Sequence, residues 1–77
     1  MSQEFDQELD ARGLVCPLPI LRTKQSLAGM SSGQVLKIVA TDPGAEIDIQ
    51  VFAEQTGNRL LAMSEIDTEF VFFLKKK

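Results

Sequence analysis

The chain of 77 residues has a single cysteine, Cys16, and it lies in the string Leu14-Val15-Cys16-Pro17-Leu18-Pro19. A proline suits the first position of a helix, because its fixed φ fits the helix and its missing N–H would have no partner there. We therefore predict that a helix begins at Pro17 and that Cys16 is its cap. A thiol in that place faces the free N–H groups and the positive end of the helix dipole, which favour the thiolate, the reactive form of cysteine.

The position of Cys16 also gives an expected acidity. A helix N-terminus stabilises an anion by about 0.3–1 kcal/mol, and by up to about 2 kcal/mol in good geometry. One pKa unit is about 1.4 kcal/mol, so we predict that the thiol pKa falls from roughly 8.5 to about 7–8. Arg12, a solvated charge by default, could also stabilise a sulfur anion. A lone cysteine is often a small buried hydrophobe, and position alone leaves both interpretations open.

Composition excludes several other kinds of chemistry. The chain has no histidine, so neither a Cys-His hydrolytic pair nor a zinc site of cysteines and histidines can form. The net charge of −3 argues against binding to nucleic acid, which needs clustered basic residues. The three lysines at 75–77 are the exception, and we expect them to be a solvated tail.

Cellular location is inferred from what the sequence lacks. No run of 18 apolar residues is present, so no membrane span is predicted. Residues 1–7 carry acids and no basic residue, which does not fit a signal peptide. With one cysteine and no export signal, we expect a reducing cytoplasm.

The hydrophobic pattern predicts the element order β-α-β-α-β-β after a loose terminus at 1–6. The segment 47–51 alternates like a strand, but Asp42-Pro43 before it and Gly57-Asn58 after it are helix start and stop signals, so we predict a helix. Asp42 is its expected N-cap and Pro43 its first residue. The predicted strands are 8–11, 35–40, 59–64 and 69–74, and the predicted helices are 17–28 and 43–56.

These elements predict one α+β domain over residues 1–77, a two-layer sandwich with two helices on one face of a four-stranded mixed sheet. Both strand-to-helix turns then lie at the same sheet edge, so Cys16 should neighbour Asp42. On the first helix we expect Ile20 and Leu21 to face the core and Thr23 to face solvent. The residues expected to be buried are Leu21, Leu27, Val35, Ile38, Ile49, Phe52, Leu60 and Phe72.

A family resemblance covers the chain from Leu9 to its end. Residues 9–19, Leu-Asp-Ala-Arg-Gly-Leu-Val-Cys-Pro-Leu-Pro, closely resemble the signature Leu-Asp-x-x-Gly-x-x-Cys-Pro-x-Pro of the TusA (SirA-like) family of small sulfur carrier proteins. The resemblance implies that Cys16 carries sulfane sulfur as a persulfide, with no other cofactor and no metal. Supporting positions outside Cys16 are Asp10, Arg12, Gly13, Pro17, Pro19, Asp42 and Pro43; similar residues farther on are Gly33, Asp48-Ile49 and Gly57.

The residues agree with a relay function. A relay thiol must be accessible, and a second cysteine nearby would discharge a persulfide as a disulfide. Pro17 and Pro19 lack N–H groups, which leaves Leu18 and Ile20 as possible donors to the sulfur. We expect an exposed partner surface at Leu14, Val15 and Leu18.

The resemblance further implies a sulfurtransferase in the sense of a carrier, acting as a monomer. Its donor would be a cysteine desulfurase or a rhodanese-like protein, and its acceptors would be relay proteins of tRNA 2-thiouridine synthesis or of dissimilatory sulfur oxidation. Two other interpretations remain. One is a regulatory or adaptor module in which Cys16 packs, and the other is an RNA-binding sandwich, which the acidic balance disfavours.

Overall fold

The computed structural model describes residues 3–77 and has the predicted element order. The four strands form one sheet in which the first and second strands of the chain are parallel neighbours, and the fourth strand lies antiparallel between the second and the third. The predicted mixed four-stranded sheet with two helices is therefore confirmed. The bounds are β1 Gln7–Ala11, α1 Leu18–Ala28, β2 Val35–Ala40, α2 Ala45–Thr56, β3 Arg59–Ile66 and β4 Glu69–Lys75.

The core lies between the two helices and one face of the sheet. Alternate residues of the central strands β2 and β4 supply its floor, because successive side chains of a strand point to opposite faces. Of the eight residues predicted to be buried, six are buried, Leu60 is half-buried and Leu21 is exposed. The buried cluster includes Leu27, Leu36, Ile38, Ile49, Phe52, Phe72 and Leu74.

The predicted core face of α1 is partly wrong. Leu21 is 48% exposed, whereas Thr23 is fully buried between Pro19 and Leu27 along the same side of the helix. The Thr23 hydroxyl donates a hydrogen bond of 2.8 Å to the Pro19 carbonyl, so its burial leaves no polar atom unpaired. A threonine that bonds within its own helix can thus take a core position, which rotates Leu21 toward solvent.

The ambiguous segment 47–51 is helical, as predicted. Ile49 is buried with Phe52 and Ala53, while Ile47 and Val51 are exposed on the other side of α2. Gly57 ends the helix with φ +81, a left-handed conformation that glycine adopts readily.

The described residues near both ends of the chain are more firmly attached than expected. The predicted loose terminus includes Met1 and Ser2, which lie outside the described residues, but Asp6 binds the backbone of Val35 through its own backbone N–H and through its carboxylate, each at 2.8 Å. At the other end, Lys76 is half-buried and its ammonium donates to the Leu27 carbonyl at the end of α1. A cation at a helix C-terminus is stabilising, so the expectation of a solvated tail is wrong for Lys76.

The β3–β4 hairpin is tighter than predicted. Its turn consists of Asp67 and Thr68, which have φ of 50 and 66. Two residues with positive φ match the twist of the flanking strands, so β3 extends to Ile66, beyond its predicted end at residue 64, while β4 begins at Glu69 as predicted. In residues 3–77, no helix has the length and apolar character that crossing a bilayer requires.

Candidate functional site

Two neighbouring loops form the candidate site. The first corner, residues 12–17, follows β1, and the second corner, residues 41–44, follows β2. Ala11 and Ala40, the last residues of these parallel strands, are register partners and are fully buried. Because the strands end side by side, the corners meet at one sheet edge, as predicted.

Side chains of the second corner accept hydrogen bonds from the backbone of the first. The Gly13 N–H donates to the Thr41 hydroxyl at 2.9 Å, and the Cys16 N–H donates to Asp42 Oδ2 at 3.3 Å. Gly13 has φ +80, a left-handed conformation that glycine adopts readily. The loop that carries the thiol is therefore held by the neighbouring loop.

Cys16 is not the helix cap. The helix begins at Leu18, with Pro17 in the cap position and Pro19 buried in the first turn. The Leu18 N–H donates to the Val15 carbonyl at 2.8 Å, so a tight turn precedes the helix. Because the Leu18 N–H is bonded within this turn, it does not donate to the sulfur, and the prediction that it could do so is wrong. The peptide bond before Pro17 is cis.

The Cys16 thiol is exposed, which contradicts the interpretation as a packing residue. It lies beside a groove of about 280 Å³ between the two helices, whose walls include Ile20, Asp48, Val51 and Phe52. A thiol at an open groove can be approached by a partner's sulfur, which is the access that exchange chemistry needs.

The pKa of the Cys16 thiol is shifted in the direction opposite to the prediction. The Asp48 carboxylate, which borders the same groove as the thiol, raises the pKa of Cys16 above its ordinary value because it favours the protonated thiol. Desolvation and the negative charges of Asp48 and Asp42 raise the pKa further. The expected pKa of 7–8 considered the helix dipole alone, but two nearby carboxylates disfavour a third negative charge more strongly.

Asp42 and Pro43 do not start α2. The helix begins at Ala45 with Gly44 in the cap position, and no side chain caps it. The Asp42 carboxylate instead binds the Cys16 N–H, while its backbone carbonyl accepts from Ala45 at 2.9 Å. The aspartate that the sequence assigned to a helix start thus positions the thiol loop.

Arg12 does not face the sulfur. Its guanidinium donates to both carboxylate oxygens of Asp10 at 2.9 and 3.1 Å and also pairs with Glu69 at 3.6 Å. These bonds lower the pKa of Asp10 and raise that of Arg12. The structure brings Asp10 and Arg12 together, but with each other and not with Cys16.

The apolar residues beside the thiol are open to solvent in part. Val15 is 62% exposed and Leu18 is 39% exposed, whereas Leu14 is half-buried and packs against the core. The role of these three as a partner surface stays a prediction. Asp48 was noted in the sequence only as a family-like position; its place in the first turn of α2, after a turn neighbouring Cys16, was the signal that could have identified it.

A larger depression of about 620 Å³ lies on the sheet face opposite the helices, where Lys37, Val71 and Phe73 are among its lining residues. It contains no thiol, so it does not compete with the groove at Cys16 as the site of sulfur chemistry. Among residues 3–77, no group of three or more His, Cys, Asp or Glu side chains is placed to hold a metal ion.

A small α/β sandwich with one exposed thiol between two strand-to-helix corners defines a class of thiol-bearing carrier domains. The sequence model of the family described as "Sulfurtransferase TusA" matches residues 7–76. The chain belongs to the TusA family of sulfur carrier proteins.

Named relatives agree with this assignment. The chain is 59% identical over 73 residues to the "Sulfur carrier protein TusA" of Allochromatium vinosum, covering 95% of this chain and 96% of that one. It is 49% identical over 71 residues to a "Putative sulfur carrier protein" of Neisseria meningitidis, covering 92% and 96%. The crystal structure of a SirA-like protein from Desulfitobacterium hafniense matches with a TM-score of 0.78 at 27% identity, covering 94% of this chain and all of that one.

Proposed function

We propose that Cys16 accepts sulfane sulfur as a persulfide and passes it to a partner protein. The observation that carries this proposal is the exposure of the chain's single thiol beside an open groove. Membership in the TusA family supports sulfur as the group that is carried, and the groove gives a second protein's sulfur access to Cys16.

The proposed loading step is an exchange at sulfur. The Cys16 thiolate attacks the outer sulfur of a donor persulfide, the new S–S bond forms on Cys16, and the donor's S–S bond breaks. The donor leaves as a thiolate and takes up the proton that Cys16 lost, so no oxidant is consumed. In unloading, an acceptor thiolate attacks the outer sulfur of the Cys16 persulfide, the new S–S bond forms on the acceptor, and Cys16 leaves as a thiolate.

The sequence supports storage of the cargo. With no second cysteine, the chain has no internal thiol that could release the persulfide as a disulfide. The protein is thus a sulfurtransferase only as a carrier between other proteins. We infer a cytoplasmic monomer that acts between a cysteine desulfurase or a rhodanese-like donor and relay acceptors, in tRNA thiolation or in sulfur oxidation.

Mass spectrometry tests the proposal directly. Reduced protein incubated with a cysteine desulfurase and cysteine, or with a rhodanese and thiosulfate, should gain one sulfur atom, about 32 Da for a persulfide. Dithiothreitol should remove it, and prior alkylation should prevent it. If the native thiol alkylates readily but no donor loads it, the carrier proposal is wrong.

Cys16→Ser supplies the matched variant. It should abolish loading with an unchanged urea midpoint, because the side chain is exposed and its backbone N–H bond to Asp42 remains. Unfolding of this variant would indicate a structural role for Cys16 and would contradict the proposal.

A further inference from the structure

We propose that Asp48 holds Cys16 in its unreactive protonated form until a partner protein places a lysine or arginine side chain beside the carboxylates of Asp48 and Asp42. This inference rests on the proposed function of Cys16 and adds the chemistry of the surface that its partners must present. Asp48 acts through the thiol and is therefore a positioning and gating residue.

The two carboxylates converge on the thiol loop from different elements. Asp48 comes from the first turn of α2, and Asp42 comes from the second corner. A Cβ atom built on Gly44 would lie 3.3 Å from Asp42 Oδ2 and 3.8 Å from Asp48 Oδ2, so both carboxylates border the same small space. A side chain at Gly44 would intrude on that space.

Neither carboxylate forms an ion pair with any of residues 3–77. Within residues 3–77 the ion pairs join Arg12 to Asp10 and Glu69, and Lys37 to Glu8, and none includes Asp42 or Asp48. The charged groups that act on the thiol are these two carboxylates. A pair of aspartates without a counter-ion beside a reactive group is the electrostatic complement of a partner's basic side chain.

The groove makes the interaction specific for a docked partner. Ile20, Val51 and Phe52 form apolar walls next to Asp48, and a protein seated on them would exclude water from the thiol. A cation brought there neutralises the carboxylate field, and it acts more strongly in a desolvated site than in bulk water. Docking and formation of the thiolate thus become one event.

The loading step conserves protons and sulfur atoms and consumes no oxidant. When the cation binds Asp48, the carboxylate no longer favours the protonated thiol, which releases its proton to solvent. The thiolate attacks the outer sulfur of the donor persulfide, and the departing donor thiolate takes up one proton. The partner's cation remains ionised throughout, and neither aspartate gains or loses a proton.

Small disulfides test the gate without any relay protein. The probes are cystamine, which carries two ammonium groups, and neutral 2-hydroxyethyl disulfide. We expect the wild-type protein to prefer cystamine, with a preference that declines as salt is added. Asp48→Asn should reduce this ratio of exchange rates by about threefold to tenfold, because one of the two carboxylates that attract the ammonium groups is removed.

Alkylation by neutral iodoacetamide gives a second readout with the opposite sign. Asp48→Asn should raise the rate at pH 7 by about threefold to tenfold and shift the midpoint of the rate profile to lower pH, because a carboxylate no longer opposes the thiolate. Glu54→Gln is the matched control, since it removes one acid from the exposed far end of α2. It should leave both readouts at wild-type values.

Each other outcome is decisive. Slower alkylation of Asp48→Asn would show that Asp48 accepts the thiol proton, which contradicts the proposal. An unchanged alkylation rate or an unchanged preference for cystamine would show that Asp48 does not control the thiol. If Asp48→Asn lowers the urea midpoint, Asp42→Asn replaces it, with the same directions expected. Loading of Cys16 without any cation preference would refute the gate and keep the carrier, whereas a cation preference without loading would keep the gate and refute the carrier.

Discussion

The two strand-to-helix corners look alike in sequence and behave differently in the structure. Each follows a buried alanine at the end of a parallel strand, and each contains a proline. The first corner has six residues and presents a thiol; the second has four and presents a hydroxyl and a carboxylate that bind the first. A short loop with side-chain acceptors therefore fixes the longer loop that carries the reactive atom.

Charge distinguishes the corners as well. In the first corner Arg12 is neutralised by Asp10 and Glu69, both outside the thiol's surroundings. In the second corner Asp42 has no ion-pair partner within residues 3–77 and acts on Cys16. The charges next to a cysteine in sequence therefore need not be the charges that set its reactivity.

The largest expected effect comes from separating the corners. Ala40→Leu places three more carbon atoms at a fully buried position opposite Ala11, and overpacking typically costs about 1–3 kcal/mol. We expect the urea midpoint of this variant to fall by an amount that corresponds to this loss of unfolding free energy. Ala62→Leu, at an exposed position of β3, is the control and should change the midpoint little. Equal midpoints for both variants would show that the strand ends can separate without cost.

A smaller effect is expected from the backbone of the first corner. Gly13→Ala introduces a Cβ at φ +80 with no atom nearby, so the cost is conformational, about 1–2 kcal/mol. Gly29→Ala is the control, because Gly29 has φ −92 and an added Cβ would make only an ordinary contact of 3.9 Å with the Ser26 carbonyl oxygen. Thermal unfolding should show a loss for the first variant alone. A loss of equal size in both would contradict the special role of Gly13.

The hydrogen bond between the Gly13 N–H and the Thr41 hydroxyl should contribute still less to the free energy of unfolding. Thr41→Val removes the acceptor of the Gly13 N–H, which should cost about 1 kcal/mol, whereas Thr41→Ser keeps the hydroxyl and should cost less. Amide hydrogen exchange at Gly13 is the sharper measurement. We expect faster exchange in Thr41→Val than in Thr41→Ser, and identical rates would mean that the hydroxyl does not protect this amide.

The smallest effect concerns the ion pair of the first corner. Hydrogen bonds from Arg12 lower the pKa of Asp10 in the folded protein. The contribution of ionised Asp10 to folding stability is therefore fully present above the usual aspartate pKa and is lost as pH falls through the lower pKa of the folded protein. Asp10→Asn should flatten the acid side of the stability profile slightly, while alkylation of Cys16 at neutral pH stays the same. Altered alkylation would show that this pair acts on the thiol after all.

Part of the site could be predicted because its signals are local. The string around Cys16 indicated the reactive residue, and the parallel order of β1 and β2 placed Asp42 beside it. The helix over 47–51 was predictable because start and stop signals outweighed a short alternating pattern. The core face of α1 was mispredicted because hydrophobicity alone does not show that Thr23 can bond within its own helix.

The sequence by itself determined the element order, the single thiol and the family, since periodicity, prolines and a motif of eleven residues are properties of the chain. Tertiary structure decided the chemistry of the thiol. Helix α1 begins after Cys16 because residues 15–18 form a tight turn closed by the Leu18 N–H and the Val15 carbonyl, and Asp48 lies near the sulfur because α2 packs beside α1. A pKa depends on distances to charges from every neighbouring element, and these distances exist only once the chain is folded.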